Sequence, residues 1–197
     1  MAVDDLTTFA HMQDYFGSSV DDEDFINFLI TAASKWANEY TSRKLASRIY
    51  ASETIDTMYD GNDFTGTNYI LLRQYPITAI ASVYEDTERD FAVASLVAAT
   101  EYIYYAERGK LLFPDDIISS GFQNYRVYYT AGYALASVPE DLEMTICRLV
   151  DFWEKSRSGH RFGVASTGVA DKRIVYEKGI PIQIQNAMAS YHKIVVE

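Results

Sequence analysis

A single cysteine, Cys147, stands among 197 residues. That excludes an internal disulfide framework and any zinc site built from thiolates. Its surroundings are an apolar helical stretch, where a thiol is expected to be buried and inert. Histidine is also scarce: His11, His160 and His192 are scattered, and none neighbours a carboxylate at metal-ligand spacing. Lys and Arg together number 17 against 28 Asp and Glu, a formal net charge of −11. Neutralising phosphate takes Lys and Arg, so this balance argues against a protein that grips nucleic acid, though not against one that encloses DNA without holding it. The deficit is sharpest at the start, where no Lys or Arg precedes Lys35 while Asp4, Asp5, Asp14, Asp21, Asp22, Glu23 and Asp24 all do. No window approaches the run of about 20 apolar residues that spans a bilayer. The first residues lack the basic-then-apolar pattern of a signal peptide, so the chain is expected to be made and kept in a cytoplasm, with no membrane partner.

Catalytic signatures are missing too. There is no Gly-x-Ser-x-Gly, His-Glu-x-x-His, Cys-x-x-Cys or Gly-x-Gly-x-x-Gly. Gly163 to Gly168 has the glycine spacing of a phosphate loop, but Val169 and Ala170 stand where Lys and Ser/Thr are needed. Asp60-Gly61-Asn62-Asp63 is a turn without the ordered acids and distal Glu of a calcium loop. Paired carboxylates occur in caps and turns, and an acid/base pair that meets only in space stays open. The expectation is a non-enzyme with no catalytic residues, no cofactor and no metal.

What the chain does have is the composition of a globular protein, 48% apolar and 23% charged. It is rich in rings, with 16 Tyr and 10 Phe, which suit β-sheets and interfaces alike. Phe9, Met12 and Phe16 recur at helical spacing, with Thr7 or Thr8 as N-cap and Gly17 as stop. Asp21 to Asp24 supply a cap and first-turn acids to a second helix. There Phe25, Phe28, Leu29, Ala32, Trp36 and Tyr40 are expected to form the buried stripe, widened by Ala33 and Ala37. From Arg48 to Tyr59 the period changes to β-alternation. Further short strands are expected at 68–73, 77–84, 102–105 and 110–113, the last two as a hairpin around Glu107-Arg108-Gly109, and at 125–129. Residues 91–99 fit either a short helix or a loop. Helix signals return at Pro139, followed by Glu140 and Asp141, with Leu142, Ile146, Leu149, Val150 and Trp153 as the buried stripe. Gly159 to Gly168 is expected to be a mobile loop, Lys172 to Glu177 a short strand or extended arm, and Pro181 the opening of a last helix. The fold class is thus α+β, a helical bundle frame of N-terminal and C-terminal helices with an inserted block of short antiparallel β-strands. In residue terms, helices at 6–16, 21–43 and 139–157 with the strand block 48–133 make a domain 1–157. A loop, short helix and C-terminal arm fill 158–197.

One series of motifs runs in order through this frame: Leu6-Thr7-Thr8 and a helix ending in Tyr15-Phe16-Gly17, and then the acid-capped helix ending in Glu39-Tyr40-Thr41-Ser42-Arg43. After it come Tyr75-Pro76-Ile77, Tyr129-Thr130-Ala131-Gly132-Tyr133 and Val138-Pro139-Glu140-Asp141-Leu142. The series, spanning residues 6–157, resembles the head-tail connector (adaptor) proteins of long-tailed bacteriophages. The resemblance implies a structural virion protein of the neck, assembled in the host cytoplasm as a ring of identical subunits, commonly dodecameric. It implies the portal protein and a neck or tail-terminator protein as partners, with DNA passing through the channel unbound. Arg161, Lys172, Arg173, His192, Lys193, Ile194, Val195 and Val196, beyond the frame, are the candidate partner contacts. The apolar tail could add to a neighbour's sheet or groove. Another phage neck or tail-completion protein, or a ligand-binding or enzymatic α+β domain, are the competing readings.

Overall fold

The computed structural model describes residues 2, 4–17, 22–59, 62–63, 68–115, 118–119, 121–158, 166–169, 172–175 and 179–193. The chain divides into two compact units, one comprising Met1–Ala46 with Ala134–Glu197 and the other Ser47–Tyr133. In the first lie helices α1 (Phe9–Phe16), α2 (Glu23–Thr41), α3 (Glu140–Ser158) and α4 (Ile182–Ala189).

The helix ends follow the expected chemistry. The Thr8 hydroxyl accepts from the His11 N–H at 3.2 Å, and the Asp22 carboxylate accepts from the Phe25 N–H at 3.1 Å, each satisfying a donor that has no partner inside its helix. At the far end of α1 the Gly17 N–H returns to the carbonyls of Gln13 and Asp14, and α2 closes on Ser42 in a left-handed conformation.

The buried face of α2 differs from the expected one. Ile26, Leu29, Ile30, Ala33 and Ala37 are buried together with Ser34, Asn38 and Thr41. Of the expected stripe Leu29 is buried, as are Ala33 and Ala37 that widen it; Phe25, Ala32, Trp36 and Tyr40 are half-buried, and Phe28 is 66% exposed. The physical reason lies in the polar residues. Ser34 Oγ accepts from the Leu6 N–H (3.0 Å), Asn38 Oδ1 from the Leu45 N–H (2.8 Å), and the Thr41 hydroxyl donates to the Ala37 carbonyl (2.8 Å). Burial costs these groups little because each is paired, and the alanines beside them admit α3 closely. From α3, Leu142, Ile146, Leu149 and Val150 are buried as expected, with Trp153 half-buried. Cys147 is buried as well, and burial pushes its thiol up to about 11.

Strands β10 (Ser166–Val169) and β11 (Lys172–Val175) pair antiparallel, Ser166 opposite Val175 and Val169 opposite Lys172. Residues 166–168, expected in a loop on the strength of their glycines, are therefore strand. Residues 159–165 of that expected loop lie outside the described residues.

The second unit holds β1 (Arg48–Ile55), β2 (Met58–Tyr59), β3 (Asn62–Asp63), β4 (Tyr69–Leu71), β5 (Ile77–Glu85), β6 (Leu96–Val97), β7 (Ile103–Tyr105), β8 (Lys110–Leu112) and β9 (Tyr125–Ala131). An antiparallel sheet has the order β1-β9-β5-β6, a second the order β4-β8-β7, and β2 pairs with β3. Central β9 shows the period of two cleanly: Tyr125, Val127, Tyr129 and Ala131 are buried, and the residues between them half-buried. They join Ile70, Leu72, Ile77, Val83, Leu111 and Phe113 in one core. The ambiguous segment 91–99 resolves into a 3-10 turn, Val93–Ser95, leading into β6. The unit's two ends meet, since the Ser47 N–H donates to the Tyr133 carbonyl at 2.9 Å.

The β7–β8 hairpin forms where the sequence places it, through a 3-10 turn Ala106–Arg108 and Gly109 at φ 62. A Cβ at Gly109 would lie 3.0 Å from the Leu72 carbonyl oxygen, on backbone that cannot swing aside. Gly109→Ala should therefore destabilise the protein by about 1–3 kcal/mol, combining left-handed strain with this collision. Chemical denaturation checks it, and an unchanged midpoint would refute the account.

Candidate interaction surface

The far end of α2 is where the helical unit fastens its own C-terminal segment. Arg43 is buried, and its guanidinium donates to the Tyr191 carbonyl at 3.1 Å. Two residues on, the Lys193 N–H donates to the Thr41 carbonyl at 2.9 Å. The His192 ring lies 4.8 Å from that of Tyr40, which stacks on Trp36 at 5.0 Å. Tyr191 Oη donates to the Asp141 carboxylate at 2.6 Å, reaching the first turn of α3. Of the residues picked out by sequence, the structure thus brings His192 and Lys193 together here, both exposed. Lys172 and Arg173 are neighbours on β11, opposite Val169 and Gly168. Arg161, Ile194, Val195 and Val196 lie outside the described residues.

Sequence reasoning missed a second surface on the same unit. Phe28 is exposed on α2, one turn after the exposed Asp24. Near the start of α2, the Arg157 guanidinium covers the Phe25 ring at 3.7 Å and lies 3.9 Å from the Asp22 carboxylate. On α3, Met144 is 43% exposed, followed one turn later by exposed Arg148 and, further along, by exposed Lys155. The available signal was that α2 carries apolar residues on more than one face, too many for a single buried stripe.

In the strand unit, Ile103, Tyr104 and Tyr105 are all exposed along β7, an edge strand. Edges of this kind are where other chains add. Inside the helical unit, His11 Nδ1 and the Thr7 hydroxyl share one Glu143 carboxylate oxygen, a tie between the N-terminal segment and α3. Among the described residues no cluster of His, Cys, Asp and Glu could hold a metal ion, and no helix is long and apolar enough to cross a membrane.

Two of the motifs that run through the frame prove to be tied to one another. The Gly132 N–H donates to the Pro76 carbonyl at 2.9 Å. Gly132 has φ 101, a conformation that favours glycine, and Ile77 pairs with Ala131. Tyr75-Pro76-Ile77 and Thr130-Ala131-Gly132 are thus two sides of one sheet corner. In the helical unit, the Pro139 carbonyl accepts from the Glu143 N–H at 2.9 Å, opening α3 so that Leu142 is buried. A sequence model of one protein family, described as "Head completion protein", matches residues 5–194. The chain belongs to the head completion protein family. This agrees with the resemblance to the phage head-tail connectors that the ordered motifs carry.

No curated protein matches the sequence. Solved structures do resemble this head completion protein. A chain of "Neck of empty GTA particle computed with C6 symmetry" is 13% identical with a TM-score of 0.58, covering 100% of this chain and 95% of that one. A chain of "Neck of native GTA particle computed with C12 symmetry" is 14% identical with a TM-score of 0.57, covering 100% and 98%. A chain of "Virion of native gene transfer agent (GTA) particle" is 16% identical with a TM-score of 0.58, covering 95% and 90%. At these identities what is shared is the fold, and in the head completion protein it extends over the whole chain.

Proposed function

We propose that the chain is a head-tail connector of a long-tailed phage, a ring of identical subunits in the virion neck, dodecameric and bound beneath the portal. It extends the DNA channel and offers a surface to the next neck or tail component. The observation that carries this reading is the family match over residues 5–194. The full-length likeness of fold to chains of particle necks computed with C6 and C12 symmetry supports it. The physics agrees: a net charge of −11 suits a channel wall past which DNA slides, because strong phosphate contacts would retard it. On this reading the ring is built in the host cytoplasm and acts without catalysis. Lys172, Arg173, His192 and Lys193, with Arg161 and the Ile194-Val195-Val196 tail, contact the portal or the next neck protein.

Size measurement of the purified chain, alone and with the portal protein of the same phage, tests this. A ring-sized complex on the portal is expected, weakened when residues 192–197 are deleted. A chain that stays unbound by portal and is absent from purified virions would overturn the reading. Full portal binding by the deleted chain would remove the tail from the contact.

A further inference from the structure

Two exposed strips on the helical unit have complementary chemistry. On α2, Asp24 and Phe28 are spaced by four residues, one helical turn, and both are exposed. On α3, Met144 and Arg148 have the same spacing and are also exposed. Each strip is thus one apolar group and one charge set about 6 Å apart along a helix, acidic on α2 and basic on α3. Glu23 adds a second exposed acid beside Asp24. Laid antiparallel, the strips place Phe28 against Met144 and Asp24 against Arg148 in one register. Among the described residues, neither the Asp24 carboxylate nor the Arg148 guanidinium has a hydrogen bond or ion pair.

An isolated exposed Phe or Met is commonplace. What sets these apart is that each comes with a charge at the same helical step and that the charges are opposite. Aromatic residues, Met and Arg are also the types enriched in the centre of interfaces. The two strips are different surfaces of one molecule, so a contact between them is heterologous, the kind that closes identical subunits into a ring when the rotation allows. Resting on the ring reading above, we infer that the α2 strip of one subunit docks on the α3 strip of the next. The occupant of each strip is a second copy of this chain, and the contact repeats around the ring.

The test is made in assembled particles carrying the full chain. The double variant Phe28→Cys/Met144→Cys, treated with a short thiol crosslinker, should give a ladder of covalent multimers. Each single variant should give monomers, because residue 28 faces residue 144 and not itself. Native Cys147 is buried and serves as a silent background in the unsubstituted chain. If the doubly substituted chain is present in particles and stays monomeric, or if either single variant dimerises, the inference falls while the ring stands. If the unsubstituted chain is absent from particles, the ring reading itself falls and this contact with it.

A charge exchange decides the matter should the cysteine variant not reach particles. Asp24→Arg and Arg148→Glu, both at exposed positions, should each lower incorporation about tenfold or more by setting like charges together. The pair combined should restore it. Single variants that incorporate normally, or a combined variant no better than either, would overturn the inference. Circular dichroism of each variant separates lost contact from lost fold.

Discussion

Arg43→Ala will lower the melting temperature of the protein by about 5–15 °C, an effect out of proportion to one side chain near a helix end. Arg43 is only 4% exposed, and its guanidinium donates to the Tyr191 carbonyl, joining the end of α2 to the end of α4. Truncation removes that buried, charge-assisted hydrogen bond and the packed stem, together costing about 2–4 kcal/mol. Arg43→Lys should rescue little, because a flexible ammonium cannot reproduce the planar fork. Differential scanning calorimetry of the three proteins checks this. A melting temperature within a degree or so of the original for Arg43→Ala would show that the tie carries no stability. A secondary readout is local: hydrogen exchange at Lys193, whose N–H is held by the Thr41 carbonyl, should accelerate in Arg43→Ala before the core of α3 does.

The largest effect in the strand unit is expected at Tyr129. Its ring is 1% exposed, stacks on Tyr50 with centroids 5.0 Å apart, and its hydroxyl donates to the Glu53 carboxylate. Tyr129→Ala empties the middle of β9 and should cost about 3–5 kcal/mol. Tyr129→Phe keeps the ring and isolates the hydroxyl. Burial, and then the Glu53 hydrogen bond and charge, push that hydroxyl well above the ordinary tyrosine value of 10.0. A group whose folded value is raised contributes stability that is complete below its unfolded value and lost as pH rises past it. Wild-type protein should therefore lose stability above pH 10, and Tyr129→Phe should lose less over the same range. Denaturant midpoints measured from pH 8 to above pH 10 decide it; parallel curves for the two proteins would sink the assignment to Tyr129.

Much of the frame was legible in the sequence because its signals are local. Caps at Thr8 and Asp22, the stop at Gly17 and the hairpin at Gly109 each follow from a few adjacent residues, and each is where the chain places it. Less legible was anything decided by partners far away in sequence. Ser34 and Asn38 look like outward-facing polar residues, yet they are buried because Leu6 and Leu45 bring N–H groups to them. Their burial turns α2 so that Phe28 faces outward. The partnership of β4 with β8, rather than with the adjacent β5, is likewise a long-range choice. Among the candidate contact residues, His192 and Lys193 were chosen by position in the chain alone. Their attachment to Tyr40 and Thr41 could not be read from it. The α2 and α3 strips were hidden for the same reason, since a helix period says that a face exists and not which face is left over.

The hydrogen bond between Ser47 and Tyr133 has a consequence for how such a chain can change. An insertion whose first and last residues touch asks almost nothing of the polypeptide that hosts it: the gap its removal leaves is short enough for a few glycines, and closing so small a loop carries little entropic cost. The strand unit is in that sense a cassette. Its entry and exit, Ser47 and Tyr133, are held side by side whatever number of residues lies between them.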